Sequence, residues 1–230
     1  DVLVLADDDK SQAPKPSKGE LAEAIATGAI TRILIAGASL SDYPSAGTVR
    51  IGRELFKYTA SSTELTNIKL TGLTRASDRT IEAAHKIGDK VQECLRYTDI
   101  RCDEIAYELL TTYGNVPSSY INKPVWEAEA ALWLNQFEIS AIITEPTGVK
   151  TLLAEITEQC LFHIWWDERA QLIKLEALKP PIYDSIPVIT EAKNIIADSV
   201  AIKDDQSRRV SQVWISYGMR DPTDKADDAN

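Results

Sequence analysis

The sequence holds 230 residues, 44% of them hydrophobic and 26% charged, a balance that excludes a disordered, collagenous or disulfide-scaffold chain. One large domain or two small ones would fit this length. The formal charge is −10, from 25 Lys and Arg against 35 Asp and Glu. A net negative surface argues against gripping duplex DNA, because that affinity comes from cationic contacts to phosphates.

The N-terminus, Asp1 to Asp7, is too short and too acidic for a signal peptide. No apolar run approaches the roughly 20 residues that span a bilayer. Met219 is the only methionine, and the last ten residues are polar, so a piece of a longer chain is expected. Residues 7–19, with Asp7-Asp8-Asp9 and then Pro14 and Pro16, read as a loop or linker. Residues 20–28 predict a short helix ended by Gly28, and residues 30–38 a buried strand closed by Gly37.

From Thr48 to about Tyr97 the period is two. Val49, Ile51 and Leu55, then Phe56 and Tyr58, then Ile68 and Leu70, alternate with polar residues and predict hairpins of a small sheet or barrel. Residues 80–87 read as a loop and residues 90–97 as a strand. From Cys102 the period becomes helical. Ile105, Ala106, Leu109 and Leu110 share a face, and Gly114 is a C-terminal stop. Pro124 suits the first turn of a second helix with Trp126, Ala130 and Trp133 on one stripe and Leu132 beside it. A third helix starts near Pro146, with the stripe Val149, Leu152, Leu153, Ile156 and Cys160.

Leu161–Trp166 and Leu172–Ala177 then predict two strands joined by the hairpin loop Asp167-Glu168-Arg169-Ala170. Further β-like stretches are Val188-Ile189, Ile195 to Ile202 and Val210 to Tyr217. The expected fold class is α+β: small antiparallel β domains or barrels with a helical insertion. The expected division is an unplaced N-terminal segment and linker (1–47), a small β domain (48–100), a helical part (101–160) and a second β part (161–230) that continues beyond this chain.

Residues able to do chemistry are sparse. His85 and His163 are the only histidines, and no Gly-x-Ser-x-Gly elbow presents a serine to either. A turn contact is expected for His85 and a structural place in an apolar strand for His163. No glycine-rich nucleotide cradle occurs. Trp165-Trp166-Asp167-Glu168 could form a sugar platform beside a general acid. The better reading has both tryptophans buried and both acids in a solvated turn. The acid runs at Asp7-Asp8-Asp9 and at Asp221, Asp224, Asp227 and Asp228 lack calcium-loop spacing. Cys94, Cys102 and Cys160 lack zinc-site pairing and suit reduced, buried positions. Arg50/Arg53 and Arg208-Arg209 are too few for a nucleic-acid stripe. No catalytic residue, cofactor or metal is therefore expected, and a structural or binding role is.

Four stretches carry a resemblance. They are Val49-Arg50-Ile51-Gly52-Arg53-Glu54-Leu55-Phe56-Lys57-Tyr58-Thr59; Leu70-Thr71-Gly72-Leu73-Thr74-Arg75 followed by Thr80, His85, Gly88-Asp89 and Val91-Gln92; Ile143-Thr144-Glu145-Pro146 leading into Trp165-Trp166-Asp167-Glu168; and Arg209 to Gly218 with Asp221-Pro222-Thr223. In this order, over about residues 48–230, the chain resembles the tail-tip or baseplate hub proteins of tailed bacteriophages. Where family members often carry a glycine pair, this chain reads Ala76-Ser77-Asp78-Arg79.

The resemblance implies a virion protein of the tail tip, made in the host cytoplasm, and not an enzyme. It implies a homotrimer that closes the distal tail tube. The implied neighbours are the distal tail protein, the tape measure protein, and fibre or spike modules. Phage DNA would pass through an acidic lumen without specific binding. Val49, Ile51, Phe56, Tyr58 and Trp214 are the expected subunit-contact residues, as exposed apolar positions. A tail-associated wall hydrolase and a carbohydrate-binding module are the competing readings.

Overall fold

The structure, a computed structural model, describes residues 11–180 together with 190, 196 and 223. The chain divides into two units, Asp1–Leu178 with Arg220–Asn230, and Lys179–Met219. Every element below belongs to the first. Val188-Ile189, Ile195, the stretch 197–202 and the stretch Val210 to Tyr217, including Trp214, lie outside the described residues.

The N-terminal half is all β: β1 (Gln12–Ala13), β2 (Glu20–Leu21), β3 (Arg32–Ala36), β4 (Gly47–Ile51), β5 (Glu54–Tyr58), β6 (Ala60–Glu64), β7 (Asn67–Thr71) and the long β8 (Val91–Arg101). Alternation explains most of these strands. Ile33 and Ile35 of β3 and Ile68 and Leu70 of β7 belong to one core, whereas Leu34 and Lys69 between them are only half-buried. The β4–β5 hairpin turns on Gly52, whose φ of +58° suits glycine. Sheet order is β2-β3-β7-β6, antiparallel throughout. Strands β5, β4 and β8 belong to a second sheet.

The two sheets are bonded to each other at both margins. Val91 N–H donates to Gly19 O at 3.0 Å on one side, and Lys57 and Thr74 exchange backbone hydrogen bonds on the other. Leu21, Ile33, Val49, Phe56, Leu70 and Val91 fill the core they share.

The C-terminal half adds α1 (Cys102–Glu108), which widens into a π-helical turn (Leu109–Tyr113), then α2 (Lys123–Trp133), β9 (Glu138–Ile143), β10 (Thr147–Gly148), α3 (Val149–Cys160), β11 (Phe162–Asp167) and β12 (Leu172–Ala177). Strand β9 completes the second sheet beside β8, giving the order β5-β4-β8-β9. A register shift between Tyr97 and Ile100, with Asp99 at a φ of 51°, marks an irregularity in that pairing. A second core forms among the three helices and the β11–β12 hairpin. Trp126 is its largest fully buried residue, and its indole N–H donates to Ile173 O at 3.2 Å. β1 pairs with β10 and brings Ala13 into this core.

The fold is thus α+β, with several small antiparallel sheets and a helical insertion. Three expectations are corrected. Residues 20–28 form no helix: Leu21 and Ile25 are buried, but Ile25 bonds in both directions to the backbone of His85. The i, i+4 spacing that reads as a helical face here serves an extended segment lying against a neighbouring loop. The helical part is interrupted by β9, whose mixed burial hides the strand period. Trp133 is exposed, while Trp126 and Ala130 of the expected stripe are buried. Leu21, Ile33, Ile35 and Tyr43, from the segment the sequence left unplaced, share a core with Val49 and Phe56.

Val49, Ile51, Phe56 and Tyr58, expected at subunit contacts, have relative exposures of 0%, 0%, 0% and 2%. They are core residues of the chain itself. Phe56→Ala is accordingly expected to destabilise by about 3–5 kcal/mol, whereas the exposed Leu132→Ala should change stability by no more than about 0.5 kcal/mol. Urea denaturation distinguishes the two, and equal small effects would place Phe56 outside the core.

Candidate functional site

The most densely bonded polar group is the side chain of Glu54, at the start of β5 and fully buried. Arg75 grips it with a two-pronged contact, Nε to Oε1 and Nη2 to Oε2, both at 2.9 Å. Backbone N–H groups of Ala76 and Ala83 donate to it at 3.2 and 3.0 Å, and His85 Nε2 lies 2.9 Å from Oε2. Burial alone would push this carboxyl up. The Arg75 guanidinium, the Ala83 N–H and His85 together hold it below the ordinary carboxylate range.

Arg75 is itself saturated. It donates to the carbonyls of Ala26, Gly28 and Ala83, and its guanidinium lies 5.2 Å from the Phe56 ring centroid. Every oxygen of Glu54 is occupied, so it has no lone pair to offer a substrate. The cluster acts as a clamp. His85 makes the turn contact expected of it, with a buried acid that sequence reading missed: Glu54 sits in an alternating strand where a polar residue ordinarily faces solvent.

The clamp holds an unusual turn. Ala76, Asp78 and Arg79 have φ of 48°, 56° and 69°, left-handed values at three residues that are not glycine. Such conformations cost on the order of 1–3 kcal/mol each and persist where the surroundings over-determine them. Here Glu54 takes the Ala76 N–H, and Ser77 Oγ donates to Leu55 O at 3.2 Å. Asp78 receives Arg96 Nη2 at 2.5 Å and Lys57 Nζ at 3.5 Å. Thr80 Oγ1 accepts from Leu55 N–H at 3.1 Å. This is the stretch in which the resemblance expects a glycine pair, and the backbone shape that glycine favours is present without it.

The tryptophan–acid stretch divides. Trp166 is half-buried and meets Tyr120 edge-on at 5.6 Å. Trp165, expected to be buried, is 38% exposed, on the outward side of β11 with the exposed His163. Among the described residues none covers that side of the hairpin enough to bury it, as the alternation of burial along β11 records. Asp167 accepts from the N–H groups of Arg169 and Ala170 at 3.0 Å and pairs with Lys174 at 2.6 Å. Lys174 and those amides hold its carboxyl below the ordinary range. It shapes the hairpin turn, as expected of a loop acid. The three cysteines are free and buried. Among the described residues no group of three or more His, Cys, Asp or Glu is placed to hold a metal ion, and no helix is long and apolar enough to cross a membrane.

Large apolar side chains do stand outside the cores. Leu65, at the tip of the β6–β7 hairpin with a φ of 56°, is 94% exposed. Ile81 and Ile87 flank His85 on the loop the clamp secures, and Ile81 is 79% exposed. Val125 and Leu132 lie seven residues apart on the outer face of α2. The residues expected to be exposed were chosen from strand positions, where burial is the rule, while the exposed apolar side chains stand on a hairpin tip, a loop and a helix face. No family model, no curated protein and no solved structure matches this chain.

Glu54→Gln is expected to destabilise by about 3–5 kcal/mol, because it strands the Arg75 charge in the interior. Because the folded carboxyl is depressed, its contribution is present above the ordinary carboxylate range and is lost as pH falls through the folded value. The stability gap between wild type and variant should therefore narrow on acidification. Chemical denaturation from pH 7 down to pH 3 measures it, and a gap constant over that range would refute the clamp.

Proposed function

We propose that the chain is a structural part of a bacteriophage tail tip or baseplate hub. In this reading copies of it close the distal tail tube as a trimer, dock to the distal tail protein and tape measure protein, and support receptor-binding fibres or spikes. A small-barrel reading of the two margin-bonded sheets suits such a part. The observation that carries the proposal is the set of large apolar side chains held out from ordered elements: Leu65 on a hairpin tip, Ile81 and Ile87 on a clamped loop, and Val125 and Leu132 on a helix. Exposed apolar groups on rigid supports are what an assembly interface requires. The formal charge of −10 suits a lumen through which DNA must slide without sticking.

The hydrolase reading gains nothing from Glu54 or Asp167, both fully engaged in structural bonds. The carbohydrate-binding reading gains one observation, the exposure of Trp165.

Replacing Leu65, Ile81 and Ile87 together by serine should weaken association with the distal tail protein of the same phage at least about tenfold and leave the melting temperature nearly unchanged, as surface substitutions do. Sedimentation of the mixed proteins is the measurement. Association unaltered by the triple change would remove these residues from the interface. Retention of the wild-type chain on peptidoglycan, abolished by Trp165→Ala, would favour the carbohydrate reading instead.

A further inference from the structure

Three free thiols are buried in the structure, and two of them are neighbours. Cys102 opens α1 and Cys160 closes α3. The two helices pack together, and both cysteines belong to the second core. The Cys102 thiol donates toward Cys160 Sγ, so the two side chains meet sulfur to sulfur. Cys94 stands apart from them. It lies in β8 opposite Thr48, and its thiol is directed at Gln92 O at 3.8 Å.

Each thiol fills core space as a small apolar group would. The pair adds the option of a covalent bond. A disulfide closes without moving the backbone only where two cysteine side chains converge, and these already do. The closed fold does not itself allow the reaction. The thiolate is the nucleophile, and burial pushes the Cys102 thiol up to about 12 and the Cys160 thiol up as well. Relative exposures of 0% and 2% also keep an oxidant out. The bond must therefore form while the helices are still coming together.

We infer that Cys102 and Cys160 are a disulfide-forming pair, joined as the chain folds in the presence of a small-molecule disulfide oxidant such as oxidised glutathione. In the open chain the Cys102 thiolate attacks one oxidant sulfur and releases one glutathione thiolate. The Cys160 thiolate then attacks the Cys102 sulfur of that mixed disulfide and releases the second. Two electrons pass to the oxidant, and its two thiolates take up the two protons. The new bond pins the start of α1 to the end of α3. It encloses the π-helical turn, α2, β9 and β10 in one loop. In a reducing medium the same sites stay thiols, and the core closes over them. The pair records the redox state in which the chain folded, and this role does not depend on the tail-tip reading.

The test refolds the whole 230-residue chain from urea, once in mixed oxidised and reduced glutathione and once with reductant alone. Tryptic mapping by mass spectrometry reads the linkage, because cleavage after Arg96, Arg101 and Lys150 puts each cysteine on its own peptide. Chain entropy alone favours the shortest loop, Cys94 to Cys102, so the pairing found reports on the fold. Cys102 linked to Cys160, with Cys94 free, should be the major oxidised form. It should melt at least about 5 °C above the reduced chain. Cys94→Ala should keep both the link and the shift, and Cys160→Ala should abolish both. Cys94→Ala provides the test if Cys160→Ala does not fold. A major link to Cys94, three free thiols after oxidative refolding, or a linked form no more stable than the reduced one would each overturn the assignment.

Discussion

The Glu54–Arg75 pair is the constraint on which the N-terminal half depends. A buried charge is tolerated only when it is paired and its remaining bonding capacity is met. Glu54 meets that condition by drawing together four segments that share no hydrophobic periodicity: β5, the turn after β7, the loop 81–87 and the extended stretch around Ala26. The left-handed residues Ala76, Asp78 and Arg79 are a consequence. The backbone there must deliver an N–H to Glu54 and place Asp78 against Arg96, and no relaxed turn is needed once those bonds repay the strain.

The continuous β8 strand is the second constraint. At its N-terminal end Val91 packs in the first core, and six residues later Tyr97 packs in the second. An 11-residue strand serving two cores joins them without a linker. The early segments reinforce this, since β3 closes on β7 in the first core and β1 closes on β10 in the second. The chain is thus laced between its halves, and its first described residues are as structural as its last.

Much of this was legible in the sequence, where a residue's neighbours in the chain are also its neighbours in physics. The stripe Val149, Leu152, Leu153, Ile156 and Cys160 becomes α3, and all but Leu152 are buried. The alternation at Ile68 and Leu70 becomes β7, and Pro124 stands in the first turn of α2. The failures share a different cause. Leu21 and Ile25 have helical spacing, yet they are held by Gly88, Asp89 and His85 through backbone bonds that no local period encodes. Glu54 looks like an ordinary outward-facing strand residue until Arg75, 21 positions later, is brought against it. Nothing local distinguishes an interface valine from a core valine either, so Val49 and Ile51 were legible as strand residues and not as buried ones. Exposure is a property of the assembled fold.

The same reasoning separates the chain's acids into two kinds. Glu54, Asp78 and Asp167 are all held below the ordinary carboxylate range, each by a named cation, with backbone donors adding to the hold on Glu54 and Asp167. Their bonding capacity is spent inside the molecule, and they act by fixing geometry. Glu108 departs from them in the opposite direction, raised by burial, with the Tyr97 hydroxyl pulling the other way. The acids held low by a cation thus describe how this chain holds its shape: each ties a turn or hairpin to the strand beside it.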